Sequence, residues 1–156
     1  MEILVCIVFL IYIVYNWESV RRNKGYPETL SDTYYLWPKW VFPTIMTLVG
    51  FCLLPTWLDA TEGSNLQFLS FMSCVGLIFV GCVPDFRNDQ NQYKIHVICG
   101  YLAAGAALLS LIFVLGNWWI FPIMLLTSII PDKRLKEHYI YHIEDAIIFS
   151  ILLSVI

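Results

Sequence analysis

Residues 95–115 read IHVICGYLAAGAALLSLIFVL. These twenty-one consecutive positions carry no Asp, Glu, Lys or Arg. A bilayer core of about 30 Å is crossed by about 20 apolar residues in helix, so this stretch predicts a membrane span. Its middle, Gly100-Tyr101-Leu102-Ala103-Ala104-Gly105-Ala106-Ala107, sets small residues four apart at Gly100/Ala104 and at Ala103/Ala107. Small-xxx-small faces let helix backbones approach closely in lipid. The segment is therefore expected at the centre of a helical bundle, with a homodimer through the Gly100/Ala104 face as the alternative use of the same surface.

Five further segments join it on either side. Working outward, the spans are expected at about Met1–Trp17, Trp40–Trp57, Leu66–Val83, Ile95–Leu115, Trp118–Ile130 and Arg134–Ile156. Pro43 falls in the first turn of the second span, where a missing N–H is tolerated. Gly116-Asn117 marks a tight turn. The first apolar run, Ile3 to Tyr15, has no basic residue before it and no small-x-small site after it, so it reads as a membrane helix and not a signal peptide. The fold class is all-α: a polytopic transmembrane bundle of about six helices forming one domain, 1–156.

Composition agrees. The chain is 59% hydrophobic, 16% aromatic and only 13% charged, against about 25% charged in soluble domains. The five cysteines, Cys6, Cys52, Cys74, Cys82 and Cys99, all lie in apolar runs without metal or redox spacing, and read as small packing residues. No basic stretch with interleaved aromatics points to nucleic acid. The lipid bilayer is the expected partner.

The net charge of -3 matters less than its distribution. Arg21, Arg22, Lys24 and Lys39 flank the first connection, Arg87 and Lys94 the third, and Lys133, Arg134 and Lys136 the fifth; these are all nine basic residues. The positive-inside rule makes the odd connections cytoplasmic and both termini non-cytoplasmic, as in a bacterial inner membrane. Tyr34, Tyr35, Trp37 and Trp40 then form an inner aromatic belt, and Trp57, Trp118 and Trp119 an outer one. In the polar stretch Glu18–Lys39, Ser31 or Asp32 is the expected N-cap of a short juxtamembrane helix.

Candidate chemistry gathers at the cytoplasmic side. His138 and His142 stand at i and i+4 on one face of the last helix, a common way to offer two nitrogens to zinc. His96 begins the fourth helix at the same membrane side. Asp145 continues the His138/His142 stripe, about 17 Å of helix before the last residue, and Glu144 is at the same depth on another face. An intramembrane ionisable residue is a functional-site hypothesis by default. Asp85 follows Pro84 in the loop leading to His96. His96, His138 and His142 could hold a zinc ion, with Asp85 and Asp145 as catalytic carboxylates that orient or deprotonate its water. The same five residues also fit two other roles: interfacial histidines paired to headgroups, with acids paired to Lys or Arg, and a proton- or ion-handling cluster.

The H-x-x-x-H of His138 and His142, taken with His96, resembles the zinc set of the alkaline ceramidase and adiponectin-receptor superfamily. That resemblance implies a helical membrane hydrolase that cleaves lipid amide bonds with zinc. The superfamily has seven helices where six are counted here, and no Ser stands just before His96. Leu30–Tyr35, Gln67–Phe71 and Val83–Asp85 look like small membrane proteins of gut bacteria and their phages, which implies an origin and no activity. The expected function is thus a zinc-dependent hydrolase acting on a lipid. The alternative is a non-enzymatic membrane protein: an assembly subunit, a small channel or a transporter-like protein.

Overall fold

In the computed structural model, residues 2–119 and 138–155 are described. Among them the structure is all-helical, as the apolar runs predict. The elements are α1 (Glu2–Asn23), a 3-10 segment (Leu30–Leu36), α2 (Val41–Ala60), α3 (Phe68–Cys82), α4 (Gln90–Phe113) and α5 (Tyr139–Ser154). The helix expected at Trp118–Ile130 lies outside the described residues beyond Trp119, as do Lys133, Arg134 and Lys136. Residues Ile3–Asn23, Val41–Ala60 and Gln90–Phe113 form helices long and apolar enough to cross a membrane; α3 is apolar but shorter. The protein is integral to a membrane.

Several helix ends differ from expectation for local reasons. α1 runs on to Asn23 and not to Trp17, because Glu18 pairs with Arg21 at 2.7 Å and Arg22 at 3.2 Å on the same helix face. α4 starts at Gln90 and not at Ile95, because Asp89 caps it by accepting from the N–H groups of Asn91 and Gln92. Those two bonds hold the Asp89 carboxyl below its ordinary value.

The helices zigzag between two ends. The first and third connections meet at one end, here the basic end, where the Arg87 guanidinium sits 2.6 Å from Asp32 and the Arg87 N–H donates to the Tyr35 hydroxyl at 2.8 Å. α5 also starts there, because the His138 Nδ1 lies 2.9 Å from the Pro27 carbonyl. At the far end Asn117 Nδ2 donates to Ser154 Oγ at 2.6 Å, which sets the ends of α4 and α5 side by side. α4 and α5 therefore run parallel, and α1 runs antiparallel to α5 through Phe9/Phe149 and Tyr12/Phe149 edge contacts.

α3 is the tightly packed element. A Cβ on Gly76 would stand 2.9 Å from the Ala103 nitrogen, and one on Gly50 would stand 2.6 Å from Ile78. Both glycines are there so that α3 can press its backbone against α4 and α2. The Ala103/Ala107 face of α4 is the one used in this contact, with both alanines buried. Gly100 and Ala104, together with Ala103 and Ala107, also line a cavity. Trp57, expected in the outer aromatic belt, is buried at 1% exposure in the bundle, and Tyr34 of the inner belt is buried too; Trp118 and Trp119 are exposed.

Candidate functional site: a cavity capped by a 3-10 plug

The loop after α1 folds back into the basic end of the bundle. Thr29, and not Ser31 or Asp32, is the N-cap of the 3-10 segment. Its hydroxyl accepts from Asp32 N–H, and the Asp32 carboxylate accepts from Thr29 N–H, a reciprocal capping box. Residues Leu30 to Tyr34 are buried. Side chains from α1 hold this plug: Tyr15 hydrogen-bonds the Thr33 hydroxyl, and Trp37 Nε1 donates to Ser19 Oγ at 2.8 Å. Partial burial pushes the Tyr35 phenol above its ordinary pKa, so it meets the Arg87 N–H as a neutral acceptor.

Two side chains, Glu144 of α5 and His96 of α4, latch the plug from beneath. The first N–H groups of a helical segment lack partners within it, and the Leu30 N–H donates to Glu144 Oε2 at 2.7 Å. Ser31 Oγ lies 2.8 Å from His96 Nε2, and His96 Nδ1 lies 2.9 Å from the Val83 carbonyl. A carbonyl only accepts, so Nδ1 carries the proton, and in the neutral ring Nε2 accepts from the Ser31 hydroxyl. The ring also stacks on Phe86, with centroids 4.6 Å apart.

Beneath the plug lies a cavity of about 430 Å³ between α2, α3, α4 and α5. Its lining extends along α2 from Phe42 to Trp57, about 22 Å of helix at 1.5 Å per residue. Over that length the volume is a narrow file. The walls are mostly aliphatic and aromatic. Thr29, Ser31, His96 and Glu144 supply polar groups at the basic end, and Ser73 lies toward the other.

The five predicted site residues are dispersed among separate partners. Both nitrogens of His96 are engaged with Val83 and Ser31. His138 and His142 do share a face, but that face meets Tyr26, whose ring lies 4.5 Å from that of His142 and 6.4 Å from that of His138. The His142 Nε2 is buried with no hydrogen-bond partner among the described residues. Asp85 accepts from Asn88 Nδ2 at 2.6 Å within its own loop. Asp145 accepts from Tyr12 Oη at 3.0 Å and Asn16 Nδ2 at 2.8 Å, and Tyr141 Oη donates to Asn16 Oδ1 at 3.0 Å. Among the described residues no three His, Cys, Asp or Glu side chains gather as a metal site, so zinc is without support.

Sequence reasoning missed Ser31 as the partner of His96, and it missed the α1 donors. A signal for the latter exists: Tyr12, Asn16 and Ser19 stand at i, i+4 and i+7 in an apolar helix. A second buried polar cluster, Thr61, Ser70 and Ser110, joins α3 and α4 to the residue that ends α2, with hydroxyl separations of 3.3 and 3.0 Å.

No family model and no solved structure matches the chain. It is similar to curated proteins named ammonium transporter Rh type B. The protein of Xenopus tropicalis is 26% identical over 129 residues, covering 75% of this chain and 28% of that protein. That of Danio rerio is 26% identical over 161 residues, 97% of this chain and 34% of that protein. That of Takifugu rubripes is 25% identical over 160 residues, 97% of this chain and 33% of that protein. The chain thus spans about a third of the length of these relatives. They are eukaryotic, which lends nothing to a bacterial or phage origin. They also overturn the expectation of a lipid hydrolase, because proteins named as transporters favour the alternative, a transporter-like membrane protein.

Proposed function

We propose that the chain is a membrane transport protein for a small nitrogenous solute of the ammonium class, with the cavity beneath the plug as its pathway. The observation that carries this reading is the length of the cavity. Its lining follows α2 for about 22 Å, most of a hydrocarbon core of about 30 Å, and it leads to Glu144, His96 and Ser31 at the basic end. The names of the relatives supply the solute class. In this reading the basic connections face the cytoplasm and both termini face away from it.

The experiment is flux into proteoliposomes, read as the internal pH change after an ammonium pulse. Wild-type protein is expected to raise flux above protein-free vesicles. Ala104→Phe, which places a ring in the file, is expected to return it to background while the protein stays monodisperse. Equal flux in protein-containing and protein-free vesicles removes the transport reading. Reporter fusions after Thr61 and after Gln90 should read non-cytoplasmic and cytoplasmic; the reverse pattern removes the orientation.

A further inference from the structure

The geometry points to Glu144 as a cation-binding latch: a small cation bearing N–H donors takes the Glu144 carboxylate from the Leu30 N–H and so releases the Leu30–Leu36 plug from the end of the cavity. This inference rests on the transport reading and names the ligand chemistry and the gating element of the same cavity.

The argument begins with what Glu144 touches. It lines the cavity, and it accepts one hydrogen bond, from the Leu30 backbone N–H. Among the described residues no Lys, Arg or His side chain pairs with it. An ionised carboxylate has room for about four donors and offers none itself. A carboxylate facing an apolar file with one neutral donor is under-compensated, which is costly in the membrane. What would complete it must bring donors and positive charge. Charge-assisted hydrogen bonds are roughly twice as strong as neutral ones, so an N–H-bearing cation in the cavity outcompetes a backbone N–H for the same oxygen.

The displaced donor explains the coupling. Leu30 opens the 3-10 segment, and its N–H has no partner within that segment. Once Glu144 is taken, the N–H is left buried and unsatisfied unless the plug moves it to water. Among the described residues the other side-chain bond to the plug from the cavity is Ser31–His96, a single neutral contact, while Tyr15–Thr33 and Trp37–Ser19 hold the plug to α1 on its far side. Arg87–Asp32 and Tyr35–Arg87 tie the plug to the loop between α3 and α4, and with the α1 contacts these are the edges about which the Leu30 end would swing. The neighbouring carboxylate, Asp145, cannot take this part, because it is turned to α1 and carries two donors already.

The test reads plug opening directly. Leu30 is buried at 4% exposure, and a Leu30→Cys change keeps its backbone N–H. With the five native cysteines replaced by alanine or serine, Leu30→Cys protein in proteoliposomes is treated with a charged, impermeant thiol reagent. Methylammonium chloride is expected to raise the labelling rate at least about fivefold, the population change that one net hydrogen bond commands. Tetramethylammonium chloride, a cation without N–H donors, is expected to leave it unchanged. Glu144→Gln keeps an acceptor for Leu30 without the charge, so labelling should stay slow and ignore methylammonium. Glu144→Ala should label fast without any cation. Should Glu144→Ala fail to fold, the Glu144→Gln comparison still decides. Acceleration that survives in Glu144→Gln, equal acceleration by tetramethylammonium, or none in the parent protein overturns the latch. Flux is scored separately: flux without gated labelling removes the latch alone, and gated labelling without flux removes the transport reading alone.

Discussion

Gly76→Ala and Gly100→Ala are the same chemical change in neighbouring helices, and the packing predicts opposite outcomes. At Gly76 the new methyl would stand 2.9 Å from the Ala103 nitrogen and 3.0 Å from both the Ala103 Cβ and the Cys99 carbonyl oxygen. Carbon contacts are comfortable at about 3.5–4.0 Å, and two of these three neighbours are backbone atoms of α4, so the helices must separate. Overpacking of this kind costs about 1–3 kcal/mol. The better helix propensity of alanine returns about 1 kcal/mol, which leaves a net loss of up to about 2 kcal/mol. At Gly100 an added Cβ meets nothing within 4 Å, so the propensity gain of about 1 kcal/mol stands alone. For a chain of this size about 1 kcal/mol moves the melting temperature by about 2–4 °C. Thermal melting in detergent, followed by loss of the monodisperse peak, should show Gly76→Ala falling by up to about 8 °C and Gly100→Ala rising by about 2–4 °C. A Gly76→Ala protein that rises as much as Gly100→Ala would refute the α3/α4 contact.

Asn16→Leu removes one donor to Asp145 and the acceptor of the Tyr141 hydroxyl, so it should cost at least about 1–3 kcal/mol; Asp145→Asn, which keeps the shape, should cost clearly less in the same melting assay. The Asp89 carboxyl is held low by the Asn91 and Gln92 N–H groups, so its contribution is present above the unfolded value of about 3.9 and is lost as pH falls through the depressed folded value. Hydrogen-exchange protection at the Asn91 and Gln92 amides should drop in that acid window, and Asp89→Asn should remove the pH dependence while keeping the cap.

Elements whose information is local were legible in the sequence. The apolar runs expected at 40–57 and 95–115 announce the helices found at Val41–Ala60 and Gln90–Phe113, because a membrane span needs nothing beyond itself to satisfy its backbone. The i, i+4 spacing of His138 and His142 correctly places them on one face, against Tyr26. What could not be read depends on contacts between distant segments. The partner of His96 is Ser31, sixty-five residues away, and the donor to Glu144 is a backbone N–H from Leu30. Trp57 carries the composition of an interfacial anchor, yet its helix packs so that the ring is buried in the bundle. The cap of the plug lay in view as Thr-x-x-Asp at Thr29 and Asp32, but two plausible caps within the next three residues obscured it.

Glu144 and Asp145 put the physical logic of the molecule side by side. Successive residues on a helix point about 100° apart, the rotation implied by 3.6 residues per turn, so one carboxylate faces α1 and the other faces the cavity. Both carry the cost of an ionisable group among membrane helices. On the α1 side that cost is met locally: Asp145 takes two side-chain donors, and Asn16 is itself held by Tyr141, so the group is fixed and ties α5 to α1. On the cavity side, among the described residues, it is met by one backbone N–H borrowed from the segment between α1 and α2. The position that keeps a carboxyl group with an exchangeable donor is therefore the one expected to meet a solute, and Glu144→Leu, which orphans the Leu30 N–H, should label fast at Leu30→Cys without any cation and lose its response to methylammonium.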